Sequence, residues 1–207
     1  MKRTLIAAVA AAALALPATA AAAPPSLDGE TLHDDTPTIT SLVCAEDGIK
    51  LGYSANGTAA GPYAGTFAET GTLDETSLTA TFTIDTPLGR VTGTKTGQVG
   101  VTCRTSPSCS GIEACADRTA IYAGGGTYQA AIRTPRGVFT DRGTFSDVFY
   151  RCPECPPGDA VFNRFDSSFS SELDEPTALT KDQCKNGGWR ALGFRNQGDC
   201  ERVAAKP

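Results

Sequence analysis

The strongest constraint on the fold is an alternation of threonine with apolar residues at a spacing of two. In residues 78–84, Thr79, Thr81 and Thr83 would face water while Ala80, Phe82 and Ile84 face a core, the pattern of a half-buried strand. Similar stretches occur at 38–44, 49–54, 63–70, 90–95, 99–104, 119–133 (interrupted by Gly124-Gly125-Gly126) and 138–150, which makes about eight strands. Turn signals separate them: Asn56-Gly57, Gly61-Pro62, Asp74-Glu75, Pro87-Leu88-Gly89 and Thr134-Pro135-Arg136-Gly137. Short connections of this chemistry join neighbouring strands as antiparallel hairpins. The glycine triplet at 124–126 reads as a bulge or sharp bend. No long stretch of this region carries helical periodicity, so an α/β fold is not expected. The expected fold is all-β, an antiparallel meander closing into a small barrel. Closure removes the exposed edges that such a sheet would otherwise present, and a β-sandwich is the alternative.

Around this main domain, 38–151, the chain divides simply. Residues 1–23 hold Lys2 and Arg3, an apolar run from Leu5 to Leu16, and small residues ending in Ala18-Thr19-Ala20. That is the make-up of a cleaved secretory signal peptide, and the run is shorter than the roughly 20 residues of a transmembrane anchor. Residues 24–37 lack apolar periodicity and are expected as a flexible lead-in, with the sole histidine, His33, inside it. Residues 152–180 read as a proline- and serine-rich connector. There Phe162, Phe165 and Phe169 either form a helical face or dock the linker on the core. Residues 181–207 form a last, small module. With 18 basic against 23 acidic residues and a formal charge of -5, the chain lacks the positive footprint of a nucleic-acid binder.

The chain contains 8 cysteines, an even count that in an exported protein implies complete pairing into disulfides. The expected pairs are Cys184 with Cys200 and Cys109 with Cys115, with Cys44 and Cys103 pairing within a set that includes Cys152 and Cys155. The sharper reading of Cys152-Pro153-Glu154-Cys155 is a redox pair or half of a metal site. Neither a βαβ setting nor a second C-x-x-C supports it, so no metal and no cofactor are expected.

Cys184-Lys185-Asn186-Gly187-Gly188-Trp189, followed by Phe194, Asn196-Gln197-Gly198 and Cys200, resembles a short C-terminal module of uncharacterised secreted bacterial proteins. The resemblance covers 181–200 and implies export from a bacterial cell and a disulfide-stapled mini-fold, with no activity attached. Within it Trp189 and Phe194 are the candidate ligand-binding residues, for a sugar or a peptide. As core residues they would be the only core so small a unit has.

Catalytic constellations are hard to assemble, and no catalytic residue is assigned. A Ser-His-Asp or Cys-His arrangement needs a histidine on a rigid scaffold, and His33 is expected on a flexible one. Glu69, Asp85, Asp117, Asp141 and Asp147 lie in or near strands as raw material for carboxylate chemistry, yet the expected role of all five is to solvate faces and cap turns. The resulting expectation is a secreted, disulfide-stabilised, non-enzymatic protein that is associated with the cell envelope or binds a ligand, either a small apolar molecule inside the barrel, against residues such as Phe82, or a cell-surface partner. A secreted enzyme, either a carboxylate-based hydrolase or a C-x-x-C oxidoreductase, is the alternative.

Overall fold

The computed structural model describes residues 25–45, 48–74, 76–101, 120–151, 162–173 and 177–205. The expected signal peptide, Asp117, and Cys103, Cys109, Cys115, Cys152 and Cys155 lie outside them, as does the side chain of Cys44. Ten strands are described: β1 (Thr31–Asp34), β2 (Thr38–Ala45), β3 (Gly48–Ala60), β4 (Gly65–Asp74), β5 (Ser77–Thr86), β6 (Gly89–Val101), β7 (Ala120–Thr134), β8 (Gly137–Arg151), β9 (Phe162–Ser171) and β10 (Thr177–Ala178). From β3 to β9 each strand pairs antiparallel with the next. β1 then bonds to β9 on one side and to β3 on the other, which closes an eight-stranded barrel. β2 lies outside the ring, paired with the first half of β3. β10 extends the edge of β8 beyond the point where β9 ends.

The alternation works as expected along β5, where Leu78, Ala80, Phe82 and Ile84 are buried and Thr79, Thr81 and Ser77 are exposed. The outer wall is threonine and the inner one aliphatic and aromatic, the reverse of a barrel built to face lipid. Among the described residues no helix is long and apolar enough to cross a membrane. Inside, Tyr53 meets Phe149 edge-on at 4.8 Å between ring centroids, Phe149 meets Phe165 at 4.9 Å and Tyr128 meets Phe169 at 5.1 Å. An eight-stranded barrel is about wide enough for such side chains to fill.

Several expectations need correction. The lead-in is structural: Leu27, Glu30, Leu32 and Asp34 are buried and β1 is the strand that closes the barrel. The connector contributes β9, which buries Phe165, Ser167 and Phe169 on one face, so these phenylalanines are wall residues of a strand. Asn56-Gly57 is no turn, because it lies inside β3 opposite Ala68 and Phe67. A Cβ on Gly57 would overlap the carbonyl oxygen of His33, so glycine lets the closing strand approach. The stretches 90–95 and 99–101 belong to one continuous strand, β6, and β7 likewise runs unbroken through Gly124-Gly125-Gly126. There a Cβ on Gly126 would overlap Gly97 across the ladder, so the triplet permits close strand contact in place of a bend.

The chain ends in three short helices, α1 (Lys181–Cys184), α2 (Gly188–Ala191) and α3 (Gln197–Ala204). A capping box between Thr180 and Gln183 starts α1, and the Asn196 side chain caps α3 by accepting from the Asp199 amide at 2.9 Å. The expected Cys184–Cys200 disulfide joins α1 to α3, with 5.7 Å between Cα atoms. Cys184, Cys200, Leu192 and Leu179 pack with Ala131 on the outside of β7. Thr92 and Thr94 of β6 donate to the carbonyls of Leu192 and Ala191, fixing the module to the wall.

Candidate functional site

Along β6 the inward positions are Val91, Gly93, Lys95, Gly97 and Val99, which places a lysine at the centre of the barrel. Its ammonium donates to Asp147 Oδ1 of β8 and to Ser167 Oγ of β9, each at 2.8 Å. Glu69 Oε2 of β4 also lies 2.8 Å from it. That third approach is an ion pair outside hydrogen-bonding geometry, and Oε2 has no other partner among the described residues. Glu69 Oε1 accepts from the Tyr53 hydroxyl at 2.6 Å. Around Lys95 Nζ stand the rings of Phe169, Phe145, Phe165 and Phe82, with centroids at 4.9, 5.1, 5.4 and 5.8 Å. The side chains of Lys95, Glu69 and Asp147 are fully screened from solvent.

One cation facing two carboxylates in a buried cage leaves one negative charge too many. Burial, with the charge of Asp147 added, outweighs the pull of Lys95 and pushes the Glu69 carboxyl up to about 7. For Lys95 burial acts downward, but Asp147 and Glu69 outweigh it and hold the amine above its ordinary value. The Tyr53 hydroxyl is raised well above its usual range by burial and by the same two acids. Asp147 Oδ2 is buried without a hydrogen-bond partner among the described residues.

A second buried carboxylate secures the lead-in. Asp141 accepts from the Leu27 amide at 2.8 Å, the Tyr128 hydroxyl at 2.8 Å and Ser171 Oγ at 2.6 Å. Beside it Glu30 Oε2 accepts from the Tyr63 amide at 2.7 Å. Three of the acids expected on solvated faces, Glu69, Asp141 and Asp147, are therefore inside, while Asp85 is on the surface bonded to Arg90. Parity was the available signal, since each of the three shares a face with buried apolar neighbours such as Phe67 and Leu73 or Phe145 and Phe149. Lys95 carries the same signal and was missed. His33 is held on β1, between Asp166 at 2.6 Å and Asp35 at 3.0 Å, on the outer wall.

Outside the barrel, the module and the wall enclose a groove of about 620 Å³ whose lining includes Arg90, Arg133, Arg195, Arg202 and Phe194. Arg90 is paired with Asp85 and Arg202 with Asp199, while Arg133 and Arg195 have no carboxylate partner among the described residues. Arg90 and Arg133 are direct neighbours across the β6–β7 ladder, a juxtaposition of like charge that an anion would relieve. Phe194 lines this groove. Trp189 is half-buried against the module's core and stacks on Arg190 at 4.8 Å.

The fold and site define a closed, eight-stranded antiparallel barrel with an ionised, aromatic-walled interior and a disulfide-stapled helical module on its side. Comparison with family models, curated proteins and solved structures yields no match for this chain.

Proposed function

We propose that the chain is a secreted, disulfide-stabilised binding protein of the bacterial cell exterior. The barrel acts as a rigid scaffold, and an anionic group is bound in the groove between wall and module. The observation that carries this reading is the clustering of four arginines on one groove in a chain whose formal charge is -5. Arginine's planar fork suits carboxylate and phosphate, and Phe194 adds an apolar floor. The residues expected to hold an apolar ligand inside are engaged with each other: Phe82 lies against Phe169 at 5.2 Å and beside the Lys95 ammonium. Residues 1–23 have the make-up of a signal peptide, and the Cys184–Cys200 disulfide fits an oxidising compartment.

Titration with citrate, inorganic phosphate and an acidic oligosaccharide, followed by calorimetry, tests the reading. Replacing Arg133 and Arg195 together by glutamate should abolish binding while leaving the melting transition in place. Equal binding by the wild type and this variant, or binding of none of the probes, would sink it. The enzyme alternative has one observation in its favour, the raised carboxyl of Glu69. That group is 1% exposed, so a substrate has no approach to it in this state. Glu69→Gln should therefore leave ligand binding unchanged.

A further inference from the structure

The cluster at Lys95 has the parts for a reaction of the protein with itself. We infer that Lys95 and Asp147 condense into an intramolecular amide, with Glu69 as the proton carrier. The inference is independent of the groove. Three observations converge on it. The nucleophile and the carboxyl are already in contact, with Nζ 2.8 Å from Asp147 Oδ1, so the reacting groups are brought together by the fold before any reaction. A second carboxyl, Glu69, touches the same nitrogen at 2.8 Å. Four phenyl rings surround the reaction centre, whose ionic side chains are screened from bulk solvent.

The chemistry balances without an oxidant or cofactor. Within the ion pair a proton passes from the Lys95 ammonium to the Asp147 carboxylate, which gives the neutral amine and the carboxylic acid that react. The nitrogen lone pair attacks Asp147 Cγ and forms the C–N bond. Glu69 accepts the proton that the nitrogen sheds and returns it to a hydroxyl on the tetrahedral carbon. The C–O bond breaks and one water leaves. Burial raises the Glu69 carboxyl towards neutrality, which suits a group that must take and give a proton. The product is a neutral amide in place of a buried ammonium and carboxylate, so desolvation favours it. The bond would tie β6 to β8 across β7, closing a loop between positions 52 apart in sequence. It would act as a covalent brace on the wall of a protein exposed outside the cell.

The test is peptide mapping of the wild-type protein after full reduction and alkylation. The expected result is a branched tryptic species joining 91–104 to 143–151, uncut after Lys95 and lighter than the two peptides together by one water. The three separate peptides 91–95, 96–104 and 143–151 would overturn the proposal, and this readout does not depend on any variant folding. Glu69→Gln should restore the separate peptides while retaining the far-ultraviolet signature of the barrel. A branched species that persists in that variant would remove Glu69 from the reaction. Lys95→Arg and Asp147→Ala set the unlinked reference masses.

Discussion

Removing the Cys184–Cys200 bridge by the double substitution C184A/C200A should detach the helical module and leave the barrel standing. The bridge spans a sequence separation of 16; in the chain-entropy treatment a loop of that size is worth about 3 kcal/mol. That is roughly a hundredfold in the module's opening equilibrium. α1 and α2 are 4 residues each and α3 is 8, all below the length at which isolated helices persist. What remains is the packing of Leu179, Leu192, Phe194 and Val203 on Ala131 and Val138, with the hydrogen bonds that Thr92 and Thr94 donate to the module and that Gln183 donates to Thr140. The molecule carries its own reporter, because Trp189, its single tryptophan, lies in the module. In urea titrations the tryptophan emission of the variant should shift to the red at a lower concentration than the loss of strand circular dichroism, whereas in the oxidised wild type the two lie closer together. If emission and circular dichroism of the variant remain superimposed on the wild-type curves, the module is held by its packing and the reasoning fails.

Asp141→Ala would leave the Leu27 amide and the Tyr128 and Ser171 hydroxyls without their shared acceptor; unpaired buried donors cost about 1–3 kcal/mol each, so a loss of several kcal/mol is expected in chemical denaturation, with faster hydrogen exchange along β1. Glu30 supplies a pH dependence: burial raises its carboxyl above 4.5 against a smaller lowering by the Tyr63 amide. The folded state therefore binds the proton more tightly, and this contribution to stability is complete below pH 4.5 and lost as pH rises through the folded value. Glu30→Gln keeps the neutral form at every pH and should flatten that decline in melting temperature measured across the acid-to-neutral range; an unaltered slope would refute it. Gly57→Val should open the seam between β1 and β3, since its side chain would occupy the place of the His33 carbonyl, and limited proteolysis should then cut the chain before residue 38, where the wild type resists.

Local periodicity and turn chemistry were legible. The Leu78–Ile84 alternation, the hairpins at Gly61-Pro62 and Pro87-Leu88-Gly89, and the stapling of Cys184 to Cys200 all depend on residues near one another in sequence. Asn56-Gly57 misled because an Asn-Gly pair signals a turn only where the chain is free to turn, and here β1 packs against it. β9 was hidden by its own interior. A strand whose inward face reads Phe165, Ser167, Phe169 looks like a polar linker until the lysine that bonds Ser167 is known. In the same way Glu69 and Asp147 look like solvated acids, and Lys95 like a solvated base, until four strands are placed in register around them.

What the sequence determined by itself was therefore the short-range part: an all-β chain of antiparallel hairpins that closes into a barrel, and a disulfide-stapled C-terminal end. These follow from side-chain parity, φ-restricted turns and cysteines close in sequence, none of which needs a distant partner. Tertiary structure alone decided which strand closes the barrel, the burial of Lys95 between two carboxylates, and the placing of Arg133 and Arg195 on one groove. Each joins residues far apart in the chain, such as Leu32 with Ser167 or Leu27 with Asp141. The energy of a charge inside a protein is set by the neighbours that replace its water, and those neighbours are assembled only when the barrel closes.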